Sequence, residues 1–129
     1  KEGCTKRNTL MKKINFKNKF QKFTDQWSPK VIAELNDYQF KLVKIQNDFI
    51  WHEHNDTDEV FIVMDGEMFI EFEAETIKLE KGEMIVVPKG TKHRPYANDE
   101  ASIMLVEPRG IVNTGDKIDE LTAPNDQWI

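Results

Sequence analysis

His52-Glu53-His54-Asn55-Asp56-Thr57-Asp58-Glu59-Val60-Phe61-Ile62-Val63-Met64-Asp65-Gly66 is the stretch that decides how this chain is read. Residues 60–64 form a short apolar run of the kind that makes strands, and Asp65-Gly66 closes it with a hairpin signal, because Gly accepts the positive φ of a tight turn. His52 and His54 are two residues apart, so on an extended chain their rings share one face about 7 Å apart. Glu59 follows across a polar connection and sets a carboxylate beside the pair. His93 completes the inventory of three histidines and is placed to supply a nitrogen from another strand. Neutral imidazoles next to a carboxylate suit Fe, Mn, Ni, Cu or Zn and leave coordination positions open.

Outward from that stretch the pattern stays strand-like. Short runs rich in Val, Ile and Phe fall at 31–35, 40–45, 49–52, 60–64, 68–72, 77–79, 84–87 and 102–106. Between them stand turn residues such as Asn36-Asp37, Asn47-Asp48, Lys81-Gly82 and Asn98-Asp99. Around 68–73 the acids Glu71 and Glu73 take one face while Ile70 and Phe72 take the other, so one side meets water and the other a core. This is the layout of an all-β sandwich or barrel. Before it, Phe16, Phe20, Phe23 and Trp27 recur at helical spacing with Asn15 as N-cap, which predicts a short N-terminal helix with an aromatic face. After it, residues 108–129 read as irregular chain docked by Leu121 and Trp128.

The chain has 129 residues, one domain's worth, and the expectation is an extension or disordered segment at 1–10 followed by a single domain at 11–129. No run approaches the roughly 18 apolar residues of a membrane span. The single cysteine, Cys4, excludes an internal disulfide and a cysteine-based zinc site. A net charge of -5 argues against general affinity for nucleic acid. The charge is uneven: residues 1–22 carry eight Lys/Arg against Glu2, or +7, which leaves -12 on the remainder. The arm is read as lying against an acidic body, its own or a second copy's. A cytoplasmic protein, with no membrane or nucleic-acid partner, is the expectation.

Two motifs then carry a resemblance. His52-Glu53-His54, four residues, Glu59, six residues and Gly66 resemble the first conserved motif of the cupin superfamily. Gly82, five residues, Pro88-Lys89-Gly90, two residues and His93 are similar to the second. Together they use every histidine in the chain. Where cupins usually place a Gly before the first His, this chain has Gln46 with Asn47 beside it, and Asn substitutes for Gly at positive φ. Where they place an Asn after the last His, it has Ala97 followed by Asn98. The wider chain is similar to small single-domain cupins (cupin 2, RmlC-like) often labelled mannose-6-phosphate isomerase-like.

The resemblance implies a double-stranded β-helix, the jelly-roll barrel, with His52, His54, Glu59 and His93 as ligands of a divalent transition metal (Fe, Mn, Zn or Ni). It implies a small-molecule ligand in a barrel lined by residues such as Phe61, Ile70, Phe72 and Met104. The function it points to is a metal-dependent enzyme of dioxygenase, isomerase or lyase type acting on a small oxygenated metabolite, with Glu59 also a candidate base. The alternative is a non-catalytic metal or ligand-binding module. Tyr38 and Tyr96 are weaker candidates for hydroxyls near the metal, while Lys92 and Arg94, flanking His93, point away by strand alternation. Phe69 and the aromatic stripe leave apolar surface that predicts a homodimer.

Overall fold

The structure, a computed structural model, describes residues 11–129. The expectations for residues 1–10 lie outside the described residues. One short helix, α1 (Phe16–Phe20), precedes seven strands: β1 (Lys30–Leu35), β2 (Tyr38–Asp48), β3 (Glu59–Asp65), β4 (Glu67–Glu71), β5 (Thr76–Glu80), β6 (Met84–Val87) and β7 (Arg94–Pro108). All strand pairs are antiparallel. The order is β1-β2-β7-β3-β6, with β4 bridging β7 and β5, the double-stranded β-helix that the two motifs imply.

Strand β7 is the spine. It pairs with β2 along its length, and its other edge carries β3 over residues 102–106 and β4 over residues 94–96. Consecutive strands β3 and β4 therefore run in the same direction along β7, so Asp65-Gly66 is a corner and not the expected hairpin. Gly82 likewise joins β5 to β6 where they continue along β4 and β3, and does not reverse the chain. Reversal happens at Phe72–Glu75, where the Phe72 N–H donates to the Glu75 carbonyl at 2.7 Å, and at Asn36-Asp37 between β1 and β2. Gly66 is required at its corner for another reason. Its φ is +80°, and a Cβ there would stand 3.2 Å from Ala101.

Asn98-Asp99 also turns out to be no strand end. Ile45 pairs with Ala101 and Asn47 with Ala97, so residues 98–100 bulge outward opposite Gln46 within continuous β7. The bulge bends the ladder, and Asn47 takes the glycine-like φ of 65° that the substitution implied.

Strand alternation sorts the side chains into two cores. The inner one holds Val43, Ile45, Phe61, Met68, Ile103 and Leu105. The outer one holds Phe23, Ile32, Leu42 and Met104, with Phe20 against it. The aromatic stripe divides between them, because α1 stops at Phe20 and Trp27 sits at φ 61° on the inner side. The expected single helical face over 16–27 is thus corrected to one five-residue helix followed by a turn and irregular chain. The C-terminal segment is tied to β1: the Val31 N–H donates to the Gln127 carbonyl at 2.6 Å and the Ile129 N–H to the Val31 carbonyl at 3.1 Å, beside an isolated Val31–Trp128 pairing. No helix among the described residues is long and apolar enough to cross a membrane.

Candidate metal centre

The histidines meet because the β2·β7 ladder continues past its strands. The Phe49 N–H donates to Pro95 at 2.9 Å, and His52 and His93 exchange backbone bonds of 3.0 and 2.9 Å. The expected strand at 49–52 is thus an isolated His52–His93 pairing. Two residues on, the His54 carbonyl accepts from the Gly90 N–H at 2.8 Å, while Asp58 accepts from the Lys89 N–H at 2.9 Å. The Pro88-Lys89-Gly90 turn, with Gly90 at φ 76°, is thereby fastened to the loop that carries His54. Glu59 enters as the first residue of β3.

His52, His54, Glu59 and His93 are all buried, and one donor atom from each lies within 4.8 Å of every other. Ring centroids stand 4.4 Å apart for His52–His93, 5.1 Å for His52–His54 and 6.1 Å for His54–His93. Glu59 Oε1 approaches His54 Nε2 at 3.3 Å and His93 Nε2 at 3.5 Å. Those are electrostatic approaches only: all three atoms are sequestered from solvent without a formed hydrogen bond. Buried polar atoms left in that state are costly, and a cation among them satisfies all three at once. His52 and His93 turn Nδ1 to the carbonyls of Ile50 and Thr91, at 3.0 and 2.8 Å. A ring N–H given to a carbonyl leaves Nε2 as the lone-pair nitrogen, the arrangement that orients a metal-binding imidazole. The donor set fits a divalent transition metal.

The electrostatics agree. Burial, reinforced by the His93 ring, lowers His52 to about 4, so that ring is neutral at pH 7. Burial also opposes charge on His54, but Glu59 outweighs it and raises that ring. Glu59 is buried too, and the hydrogen-bonding capacity and charge of His54 and His93 hold it well below the usual carboxylate range. A second carboxylate stands behind it. Val60 pairs with Val106, which sets Glu59 beside Glu107, and burial together with the Glu59 charge pushes Glu107 up to about 8. Lys41 Nζ counters from 2.7 Å, itself only 3% exposed.

Next to the cluster is a cavity holding about 400 Å³ of empty space out to its open mouth. His52, Glu59 and Phe61 line it, as do Trp27, Phe49 and Asn113. Ile70 and Phe72 belong to the same interior, but Met104 faces the outer core, since Ile103 and Leu105 take the inward positions of β7. The tyrosines are corrected as well. Tyr96 stacks on Phe69 at 4.9 Å and Tyr38 is 49% exposed, so neither joins the site. Arg94 points away to Glu71 and Asp48. Sequence reading missed Lys41 and Glu107, although alternation along 41–45 and 101–107 places both on the inward face. Trp27 and Asn113 carried no comparable signal, because their placement depends on irregular chain.

The family description "Cupin domain" matches residues 41–108, more than half of the chain. The chain belongs to the cupin family. Among solved cupins it is similar to a cupin-2 domain containing protein from Shewanella frigidimarina, with 59% identity and a TM-score of 0.74, covering 74% of this chain and 94% of that one. It is similar also to protein NMB1881 from Neisseria meningitidis, with 34% identity and a TM-score of 0.70, covering 75% of this chain and 99% of that one. Uncharacterized protein YdbB of Bacillus subtilis is 42% identical over 64 residues, which span 49% of this cupin and 57% of that protein's length.

Proposed function

We propose that residues 11–129 form a single cupin domain that holds a divalent transition metal through His52, His54, Glu59 and His93 and acts as a metal-dependent enzyme on a small oxygenated metabolite. The observation that carries this reading is a four-donor cluster with three orphaned buried atoms, beside a largely apolar cavity that is open at its mouth. When bound, such an ion supplies Lewis-acid or oxygen-binding chemistry. The chain supplies the rest: the carbonyls of Ile50 and Thr91 fix two rings, Glu59 offers a carboxylate for proton transfer, and hydrocarbon walls line the approach.

One observation favours the alternative of a non-catalytic binding module. Among the described residues, only His52 and Glu59 of the cavity lining can exchange a proton with a ligand, and both are in the donor set. Metal analysis of the purified protein, then oxygen uptake or turnover with and without His52→Ala, separates the readings. Turnover lost in the variant supports the enzyme, while tight metal and ligand binding without turnover supports the module.

A homodimer in a cytoplasmic setting completes the proposal. Its support comes from Met84 and Val86, 55% and 49% exposed on edge strand β6, and not from Phe69, which Tyr96 covers. Light scattering giving about twice the 15.1 kDa chain mass is the expected result.

A further inference from the structure

The walls of the cavity narrow the chemistry of what enters it. Val43, Ile45, Ile103 and Leu105 form an aliphatic side. Opposite in character, Trp27 stacks on Phe49 at 4.5 Å and 19°, and Phe49 stands perpendicular to His52 with centroids 5.2 Å apart. A row of rings therefore leads from the cavity wall to the metal-site imidazole.

The polar groups along this path are already engaged. Asn113 donates Nδ2 to the carbonyls of Trp27 and Leu121, both at 2.8 Å, and its Oδ1 accepts from the Ala123 N–H at 3.0 Å. The Trp27 indole N–H is given to the Gln46 carbonyl at 3.0 Å. Among the described residues no Lys or Arg lines the cavity. The buried cations of the fold are committed elsewhere, Lys41 to Glu107 and Lys30 to Asp25, each at 2.7 Å. A phosphate or carboxylate held against these walls, away from the metal donors, would lose its hydration with no side-chain cation to replace it, and a polyol would lose hydrogen bonds that the walls cannot return. A flat hydrocarbon body loses nothing of that kind and gains ring contact.

We propose that the ligand is a flat, uncharged aromatic molecule carrying one or two adjacent hydroxyl or keto oxygens, its ring against Trp27 and Phe49 and its oxygens toward His52 and Glu59. Trp27 is the residue that selects this class. The place of the oxygens rests on the metal reading above, whereas the class of the body rests on the walls alone.

Calorimetric titration of the zinc-loaded and the metal-free protein, with zinc content measured in each, tests both parts. The probes are catechol, indole, mannose 6-phosphate and malate. Catechol is expected to bind the loaded protein at least tenfold more tightly than mannose 6-phosphate or malate, and indole to bind both forms alike. Trp27→Ala should weaken catechol and indole at least tenfold without changing zinc content, and Trp27→Phe should restore most of the loss, showing that the ring matters and the fold is intact. Tighter binding of mannose 6-phosphate or malate than of catechol, or unchanged indole affinity in Trp27→Ala, overturns the proposal. Zinc that fails to bind while indole still depends on Trp27 refutes the metal reading and leaves the ligand class standing. Zinc that binds while indole and catechol do not refutes the ligand class alone.

Discussion

His52 shows how burial and a backbone partner set the state of one ring. Its Nδ1 is turned to the Ile50 carbonyl, its ring makes a T-shaped contact with Phe49, and 4% of it is exposed. Burial lowers it from 6.5 to about 4, so the folded protein takes up this proton less readily than the unfolded chain. The stability linked to that difference is fully present above about pH 6.5 and lost as pH falls toward 4, on the order of 3 kcal/mol in total. His54, raised by Glu59 against burial, works with the opposite sign: its contribution is present at low pH and lost as pH rises through the folded value. Urea melts of metal-free wild type and His52→Gln across pH 7 to 4 isolate the first effect, and the variant should show the shallower acid-side decline. Parallel slopes would refute it. Glu59→Gln should weaken metal binding more than about tenfold, the lower end of what disturbing even an outer-sphere partner costs, as read by competition with a chelator dye. The clustering of His52, His54, Glu59 and His93 was legible because two short motifs with fixed spacing carry them. Lys41 and Glu107 were not singled out, since a charged residue in a strand looks solvent-facing until the strand's partner is known.

At the scale of elements, local sequence specifies strands well and their partners poorly. The runs at 60–64 and 68–72 were legible as strands because β-branched and aromatic residues crowd there. Asp65-Gly66 looked like a hairpin because a positive-φ glycine serves a corner equally well, and only the shared edge of β7 distinguishes the two. The N-terminal stripe misled similarly: spacings of four and three suit a helix, but Trp27 is better accommodated by stacking on Phe49 than by extending α1. The C-terminal segment shows irregular chain acting as an element. Thr114 is fully buried, its hydroxyl 2.7 Å from both the Lys117 carbonyl and Thr122, and this holds Gly115 over the histidine loop. A Cβ on Gly115 would fall 2.1 Å from the Glu53 carbonyl oxygen, with His54 Nδ1 at 3.6 Å. Gly110, at φ +92°, has nothing within 4 Å. Gly110→Ala therefore carries only the left-handed backbone cost, about 1–2 kcal/mol. Gly115→Ala adds a collision at the metal loop and should cost more stability and also weaken metal binding, an effect Gly110→Ala lacks. Thermal melts with metal titrations of both variants check this, and equal metal affinity would show that the segment does not position His54.

For the whole molecule, the proposed donor set is assembled from distant parts of the chain, and this would couple a bound metal to the entire fold. His52 and His54 lie on a loop held by residues 90–95, Glu59 opens β3, and His93 precedes β7, so unfolding any of these disperses the cluster. An ion that binds only the folded state stabilises it by RT ln(1 + [L]/Kd), about 2.7 kcal/mol at a hundredfold excess over Kd. For a chain of this size that corresponds to a rise in Tm of roughly 5 to 15 °C. Protons compete with the metal for the same nitrogens, and the rings do not compete equally. His52, lowered to about 4, stays available down to acidic pH, whereas His54 starts from a raised value and takes up its proton first. The metal's stabilising effect should therefore shrink between pH 7.5 and 5.5 mainly through His54. Scanning calorimetry of loaded and chelator-treated protein across that range should show the Tm gap closing as pH falls. A His54→Gln variant should show a small gap that hardly varies with pH. A wild-type gap constant from pH 7.5 to 5.5 would mean that His54 does not hold the metal.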